Sequence, residues 1–350
     1  MPVDSAAADA VSRPLRRDRL RSSRRPVSVV AILMAVLLAV GAQTTAAAAE
    51  SGDPESPAPP PASMAEVRGE LRGAVDAAAA GERVPDGTGP EVAGLWDDRS
   101  QIEPGCAAES GGTRHTICTW GDPDADRTVV LLGSSHMTMW LDGLREPAAD
   151  NGTKIVGLLK FGCSPIIARV HASGRPYPSC RKWRIWALRK IDGINPDQVV
   201  VATHPYIQLA KRDGTLVKTD GKRFDRMYAA GMRRLLTRLR GASNDVVLFG
   251  PVALRPSAKS PGRCLEREDM LLAPCENQVS RRHKTITRRD RRAAKQTGAR
   301  FYNPNRVICW EGRCPVAAGG IYPYRDFSHI SRTWSLHVGD ALARGFRMFG

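Results

Sequence analysis

The sequence lacks several features that would assign a chain of 350 residues to a large structural class. It contains no Cys-x-x-Cys pair, the spacing typical of structural zinc sites, so we expect no metal centre. No internal repeat is visible, which excludes solenoid and propeller architectures. Beyond residue 50 no apolar run reaches the roughly 20 residues that span a bilayer. These absences leave a globular domain as the expected form of most of the chain.

One long apolar run does lie near the N-terminus. Residues 27–40 are almost continuously apolar, an arginine-rich segment at residues 13–25 precedes them, and small residues at 44–49 follow. This order is typical of a secretory signal that is cleaved after small residues. If Gly41 and Ala42 extend the run, the segment is a marginal signal anchor instead. Both interpretations predict an extracytoplasmic protein, either secreted or anchored to the membrane by this segment.

Composition divides the chain into four parts. Residues 1–49 contain the basic region with the signal or anchor, and residues 50–63 are a linker rich in Pro, Ala and Ser. Residues 64–104 combine a helical pattern, with Val67, Leu71 and Val75 on one face, and an irregular lead-in. Residues 105–350 remain for a single α/β domain, because the first hundred residues offer little apolar material for a core.

Apolar strand patterns alternate with helical patterns after residue 105. We predict strands at 128–132, 154–159, 198–202, 245–249 and 299–302, and helices at 137–151, 181–191, 224–240, 278–297 and 331–349. This alternation predicts a three-layer α/β sandwich with a mainly parallel sheet between two helical layers. Because such crossovers are right-handed, the carboxyl ends of the strands should share one rim.

Two short motifs should lie on that rim. The first predicted strand leads through Gly133 and Ser134 into Ser135, and Asp326 and His329 follow the last predicted strand. A serine hydroxyl needs a base to accept its proton, so His329 would be the base and Asp326 would orient its ring. Structural alternatives exist, since Ser135 can be a helix N-cap and His329 a surface histidine. The presence of both motifs favours the catalytic interpretation.

The two motifs resemble those of the SGNH (GDSL-like) hydrolases, which have an early Gly-Asp-Ser block and a late Asp-x-x-His block. The chain is most similar to the extracytoplasmic SGNH domain fused to type three membrane acyltransferases, through Gly133-Ser134-Ser135-His136, Trp140, Cys163-Ser164-Pro165, Cys180-Arg181-Lys182-Trp183 and Cys309 to Cys314-Pro315. The resemblance implies the SGNH-hydrolase, flavodoxin-like form of the sandwich. Ser134 replaces the family's Asp, which affects the level of activity more than the identity of the nucleophile.

A serine nucleophile also needs donors for the oxyanion that develops during attack. The backbone N–H of Ser135, at the start of a predicted helix, is one candidate. The resemblance implies a glycine N–H after the second strand, which Gly162 can supply, and an asparagine amide after the third. Thr203 and His204 stand where the asparagine is expected, and they either donate in its place or form a turn before Pro205.

His136 and Trp183 are the candidate substrate-lining residues. His136 directly follows the nucleophile and would also support its turn. Trp183, beside Cys180, offers an apolar face on which a carbohydrate ring can rest. Packing of Trp183 against a disulfide is the competing interpretation.

The eight cysteines form four sequence-local pairs, which are Cys106 with Cys118, Cys163 with Cys180, Cys264 with Cys275 and Cys309 with Cys314. An even number of cysteines in an exported chain indicates disulfides, and local pairing is the simplest of the possible connectivities.

Residues 281–292 form a strongly basic helical stretch within a chain of net charge +16. Nucleic acid is not an expected partner, because export removes it and no recognition motif accompanies the charge. A solvated helix face is the simplest interpretation, with anionic lipid headgroups or an acidic glycan as the functional alternative.

The resemblance implies an O-acyltransferase that moves an acyl group, expected to be acetyl, to a surface or cell-wall glycan through a Ser135 acyl-enzyme. No cofactor is expected, and a separate membrane acyltransferase would supply the acyl group. Two alternatives stay open, namely an esterase acting on carbohydrate esters and a catalytically weakened module that binds a glycan or a partner.

Overall fold

The structure is a computed structural model that describes residues 63–204, 207–219 and 221–350. The predicted signal or anchor and residues 50–62 of the predicted linker lie outside these residues. Across the described ranges, no helix combines the length and apolar character needed to cross a membrane.

The strands follow the chain in the order β1 (Cys118–Gly121), β2 (Arg127–Gly133), β3 (Thr153–Leu159), β4 (Val170–Ala172), β5 (Arg175–Pro176), β6 (Gln198–Ala202), β7 (Gln208–Leu209), β8 (Asp245–Phe249), β9 (Asn277–Gln278), β10 (Arg300–Tyr302) and β11 (Arg313–Cys314). The main sheet has the spatial order β1-β3-β2-β6-β8-β10. All its neighbouring strands are parallel except β1, which is antiparallel to β3. Two small sheets pair β5-β4-β7 and β11-β9.

The helices are α1 (Met64–Ala79), α2 (Ser135–Thr138), α3 (Leu141–Asp150), α4 (Pro178–Ile194), α5 (Lys222–Arg240), α6 (Pro261–Arg267), α7 (Leu272–Cys275), α8 (Arg281–Thr297), α9 (Arg332–His337) and α10 (Gly339–Gly345). Ser63 begins α1 with a capping box, in which its hydroxyl and the Glu66 side chain satisfy each other's backbone N–H groups.

Both faces of the main sheet are buried, so its central strands consist of apolar residues after their first one or two positions. In β2, Val129 and Leu131 face one apolar cluster, while Val130 and Leu132 face another. The first cluster includes residues of α1, α3, α9 and α10, and the second includes residues of α4, α5 and α8. The three-layer α/β sandwich with a mainly parallel sheet is therefore confirmed.

Several elements differ from the sequence prediction, and the short elements β4, β5, β7, β9, β11, α6 and α7 were not predicted. The helix predicted at 137–151 is two helices, α2 and α3, and the one predicted at 331–349 is α9 and α10. The second break lies at Val338, where Gly339 packs directly on the backbone of Gly143. Strand β1 was not predicted, because it is a half-exposed edge strand without an apolar run.

Four disulfides join Cys106 to Cys118, Cys163 to Cys180, Cys264 to Cys275 and Cys309 to Cys314, and these are the predicted pairs. One of them ties the loop after β3 to α4, and another joins α6 to α7 within a small third apolar cluster. Short loops of this kind each contribute about 2–3 kcal/mol in the chain-entropy treatment. The disulfides therefore reinforce the loops that surround the sheet.

Candidate active site

The turn after β2 brings Ser135 to the carboxyl end of the sheet. Gly133 ends the strand where a Cβ would lie 2.6 Å from Cβ of Met137, so only glycine fits this turn. Ser134 is the N-cap of α2, and its hydroxyl accepts the backbone N–H of His136 at 3.5 Å. Ser135 is consequently the first residue of α2, and its side chain faces the loop that precedes α9.

Ser135, His329 and Asp326 form one hydrogen-bonded line. Nδ1 of His329 lies 2.8 Å from Oδ2 of Asp326, and its Nε2 lies 2.9 Å from Oγ of Ser135. The carboxylate accepts the Nδ1 proton, which leaves Nε2 as the acceptor for the Ser135 hydroxyl. This is the arrangement that general-base activation of a serine requires.

Asp326 is held as a carboxylate by several donors. Its Oδ1 accepts the backbone N–H groups of Ser328 at 2.6 Å and of His329 at 2.7 Å. Burial raises the pKa of Asp326, but the hydrogen bond and the charge of His329, together with these N–H donors, outweigh burial and lower it to about 2. Asp326 is therefore ionised at any pH at which the protein is expected to work.

The loop that carries the Asp326–His329 pair is anchored at both ends. Arg255 N–H donates to the carbonyl of Phe327 at 2.9 Å. Ile330 N–H donates to Sδ of Met139 at 3.4 Å, and Ser331 caps α9 by accepting Trp334 N–H at 3.1 Å. These contacts hold the loop so that the ring of His329 lies beside Ser135, at the start of α2.

His136 lies behind the ring of His329 and is buried from solvent. Its ring is 2% exposed and meets the ring of His204 edge-on at 4.5 Å and the ring of His329 at 4.9 Å. Neither ring nitrogen has a hydrogen-bond partner. Burial, reinforced by the two neighbouring histidines, holds the pKa of His136 well below its usual value, so the ring is neutral. His136 supports the site and does not line a substrate groove.

Trp183 is also buried, and the prediction that it lines a substrate groove is wrong for this structure. Its side chain is 0% exposed and belongs to the same apolar cluster as Cys163 and Cys180. The competing interpretation, packing beside the disulfide, fits its position.

The structure places the other candidate oxyanion donors in different surroundings. The hydroxyl of Thr203 lies 3.4 Å from that of Tyr228, which directs it into the core, whereas His204 packs on His136. Gly162 has φ of +66° and follows Phe161, which lines the cleft beside Ser135. The start of α2 gives Ser135 N–H the position expected of an oxyanion donor.

A cleft of about 590 Å³ opens in front of Ser135 and His329. One wall is the segment at residues 99–109, including Arg99, Gln101 and Glu103, and the other includes Phe161 and Arg325. Sequence reasoning missed this wall, because the segment has no periodic pattern to place it. Charged and amide side chains therefore line part of the cleft.

The buried Lys160 shapes the loop at the end of that wall. Its ammonium donates to the carbonyls of Ser110 and Gly112, each at 2.9 Å, and to that of Glu109. Burial lowers the pKa of Lys160, and the charge of Glu109 partly offsets this effect. No sequence signal distinguishes this lysine from the many exposed ones.

We next searched the described part of the chain for side chains that could coordinate a metal ion. There, no group of three or more His, Cys, Asp or Glu side chains is arranged to hold a metal ion.

The family model described as the SGNH domain fused to AT3 domains matches residues 105–344. The chain belongs to this family. Ser134, which stands where the resemblance implied an Asp, serves here as the cap of α2. No curated protein matches the chain.

Several solved structures are similar to this SGNH domain. The periplasmic domain of a lipopolysaccharide acetyltransferase from Salmonella ser. Paratyphi A is 12% identical, with 64% of this chain and 84% of that chain covered at a TM-score of 0.48. A carbohydrate acetylesterase from Sinorhizobium meliloti is 13% identical, with 64% and 100% covered at 0.40. An aryl esterase from M. smegmatis is 13% identical, with 64% and 100% covered at 0.39.

Proposed function

We propose that this SGNH domain transfers an O-acyl group, with acetyl as the expected group, to a surface or cell-wall glycan through an acyl-enzyme on Ser135. The observation that carries the proposal is the 2.9 Å contact between Nε2 of His329 and Oγ of Ser135, with Asp326 on the opposite ring nitrogen. Membership of a family of domains fused to AT3 domains supports acyl transfer as the reaction class.

The first half-reaction loads the serine. Oγ of Ser135 attacks the carbonyl carbon of the acyl donor, and Nε2 of His329 takes the hydroxyl proton. Asp326 stabilises the imidazolium, while the N–H of Ser135 donates to the oxyanion. When the tetrahedral intermediate collapses, His329 returns the proton to the leaving group and the acyl group remains on Ser135.

The second half-reaction decides between transferase and esterase. A sugar hydroxyl attacks the acyl-enzyme and loses its proton to His329. When the tetrahedral intermediate collapses, His329 passes this proton to Oγ of Ser135, and the O-acyl sugar leaves. If water attacks instead, the product is the free acid. The hydroxyl-compatible wall of the cleft, with Arg99, Gln101 and Glu103, supports a sugar acceptor.

The proposed location is outside the cytoplasm, where disulfides form and persist. The four disulfides support this location. The N-terminal apolar segment would either direct secretion or associate with the membrane. In this proposal a separate membrane acyltransferase delivers the acyl group to Ser135, and neither a cofactor nor a nucleic acid takes part.

A module that only binds glycan is the second candidate function. The observation that favours it is the position of Thr203, a predicted oxyanion donor whose hydroxyl lies beside that of Tyr228 in the core. A weakened site can still hold a sugar.

Labelling with a fluorophosphonate probe tests the nucleophile. We expect stoichiometric labelling of the purified protein at Ser135, loss of labelling in Ser135→Ala and His329→Ala, and full labelling in the control Ser257→Ala, which changes an exposed serine on the surface. Absence of labelling in folded, disulfide-intact protein would favour the binding module.

A product assay tests the acceptor. The enzyme is supplied with an acyl donor and a glycan acceptor, and both free acid and O-acyl sugar are measured. O-acyl sugar that depends on Ser135 is expected, whereas free acid alone would identify an esterase.

A further inference from the structure

A second concave site lies on the catalytic rim of the sheet, between α8 and the loop that follows β10. It encloses about 360 Å³, and its lining includes five cationic side chains, which are Arg68, Lys284, Arg288, Arg291 and Arg306. Lys284, Arg288 and Arg291 are spaced by four and three residues on α8, so they project from one face of that helix. The site is therefore a basic pocket, defined by these five side chains.

The charges of the basic pocket are not balanced by acids. Elsewhere arginines pair with carboxylates, as Arg289 does with Asp225 at 2.6 Å and Arg300 with Asp245 at 2.6 Å. Among the described residues, none of the five pocket cations has a carboxylate within ion-pair distance. Like charges four residues apart on a helix destabilise it, so this arrangement costs stability unless an anion occupies the pocket.

Two of these guanidinium groups are held in place by aromatic rings. Arg68 lies over the ring of Trp310 at 4.6 Å, and Arg291 lies over the ring of Phe301 at 5.3 Å. Stacking of this kind limits the side chain's freedom and leaves its N–H groups available to a ligand. Pre-positioned donors lower the entropy that binding an anion would cost.

Neutral polar groups complete the wall of the pocket. His283 and Asn305 are buried and hydrogen-bond each other at 3.2 Å, which ties α8 to the loop after β10. Burial lowers the pKa of His283 to about 4, so its ring adds no charge. The hydroxyl of Thr287 is buried in the wall and has no hydrogen-bond partner. A ligand with both anionic and hydroxyl groups would satisfy these donors and acceptors.

We propose that the basic pocket binds a carboxylate group on the glycan that accepts the acyl group. The substrate class is then an acidic glycan, and this inference rests on the proposed function of Ser135. The pocket follows β10 as Ser135 follows β2, and these strands are three positions apart in the sheet. At about 4.8 Å per strand the two sites are roughly 14 Å apart on one rim, so one extended glycan can reach both.

A glycan fits the pocket better than a membrane surface. The cations of the pocket surround a concavity whose wall also contains a buried, unpaired hydroxyl of Thr287, which the hydroxyl groups of a sugar can hydrogen-bond. A chain of sugars can insert a charged substituent into such a concavity and hydrogen-bond the wall.

Binding can be tested without any acyl chemistry by using the full chain with Ser135→Ala. The probe is a fluorescent oligogalacturonate, compared with a neutral malto-oligosaccharide of equal length and with phosphatidylglycerol vesicles. The test variant is Lys284→Gln, Arg288→Gln and Arg291→Gln together. The control is Lys182→Gln, Arg189→Gln and Lys190→Gln, which removes the same charge from exposed positions on α4.

We expect the acidic probe to bind with an affinity that falls as salt rises, and the neutral probe not to bind. The test variant should lose at least tenfold in affinity and the control no more than twofold. Equal losses in both variants, equal binding of the neutral probe, no binding of the acidic probe, or binding of vesicles in place of the probe would each overturn the proposal. Because Ser135 is already replaced, a failure of the catalytic proposal cannot produce any of these results.

Discussion

Asp326 divides its two carboxylate oxygens between two tasks. Oδ1 accepts the backbone N–H groups of Ser328 and His329, which shapes the loop, and Oδ2 accepts the ring N–H of His329, which orients the base. Arg325 also lies 3.4 Å from Oδ2 and balances its charge. A side chain of the same shape without the charge should keep the loop in place but no longer stabilise the base.

Asp326→Asn should lower kcat for 4-nitrophenyl acetate by about 10³- to 10⁴-fold, because the amide cannot stabilise the imidazolium of His329. KM should change little, since Asp326 is almost fully buried behind His329. Steady-state kinetics measure both constants, and near-UV circular dichroism reports on the fold. The matched control is Asp340→Asn, which removes a carboxylate that pairs with Arg344 on α10. A kcat within tenfold of the wild-type value would show that Asp326 does not assist the base.

His136 makes the stability of the protein depend on pH. Its pKa is depressed in the folded state, so below the usual imidazole pKa of about 6.5 the unfolded chain binds a proton that the native protein does not. The stability therefore falls as pH drops through this range. His283 and His115, whose pKa values burial also lowers, act in the same direction.

His136→Phe keeps a planar ring in the core and removes the group that titrates. We expect the Tm of the variant to fall less than that of the wild type between pH 7.5 and pH 5, while the contributions of the other histidines cancel in the comparison. Differential scanning calorimetry across this range measures the effect. Two parallel curves would contradict it.

The candidate triad of Ser135, His329 and Asp326 could be predicted from the sequence, but the residues that surround it could not. Ser135 and His329 are 194 residues apart, yet each belongs to a short motif that can be recognised in the sequence. The sequence predicts His136 as a substrate-lining residue because it directly follows Ser135. Its place in the sequence does not reveal that its ring is buried. Lys160 and the wall at residues 99–109 depend on long-range contacts that no periodic pattern reports.

At the scale of elements, the site depends on how closely α3 packs against α9 and α10. A Cβ on Gly143 would lie 1.8 Å from the carbonyl oxygen of Ser335, and one on Gly339 would lie 1.9 Å from that of Gly143. The backbones of these helices therefore touch, and α9 directly follows the loop that contains His329. A change in this contact should therefore shift the ring of His329.

Gly143→Ala should destabilise the protein by about 2 kcal/mol or more, although alanine is usually favoured over glycine within a helix. Activity should also fall, because α9 must shift to admit the methyl group. Urea unfolding measures the free energy. The control is Gly193→Ala near the end of α4, where no atom lies within 4 Å of the new Cβ and a small gain is expected. Equal effects of the two changes would disprove the role of the close contact.

Strands were easier to predict than helix breaks. The predictions for β6 and β8 match their observed bounds, because each is a short apolar run bounded by polar residues. The interruption between α9 and α10 depends on a tertiary contact between two glycines, which helical periodicity does not reveal.

At the scale of the whole molecule, the formal charge of +16 is concentrated rather than spread. The sequence of α8, RRHKTITRRDRRAAKQT, contains a single acid, Asp290, whose buried position raises its pKa to about 7. The adjacent α5 is also arginine-rich. The two helices thus form a face on which positive charges repel one another.

The variant with Lys284→Gln, Arg288→Gln and Arg291→Gln should therefore be more stable than the wild type in the absence of ligand. Removing like-charge pairs on α8 should raise the Tm by about 1–3 °C in 20 mM buffer. The gain should shrink in buffer with 0.5 M salt, because screening already weakens the repulsion in the wild type. The control variant on α4 should not gain, since Arg189 stands three residues before Asp192 and its loss removes an attraction. Thermal unfolding of the three proteins at both salt concentrations measures these differences. A lower Tm for the test variant would mean that the basic pocket stabilises the fold, and that its charges need no anionic ligand to explain them.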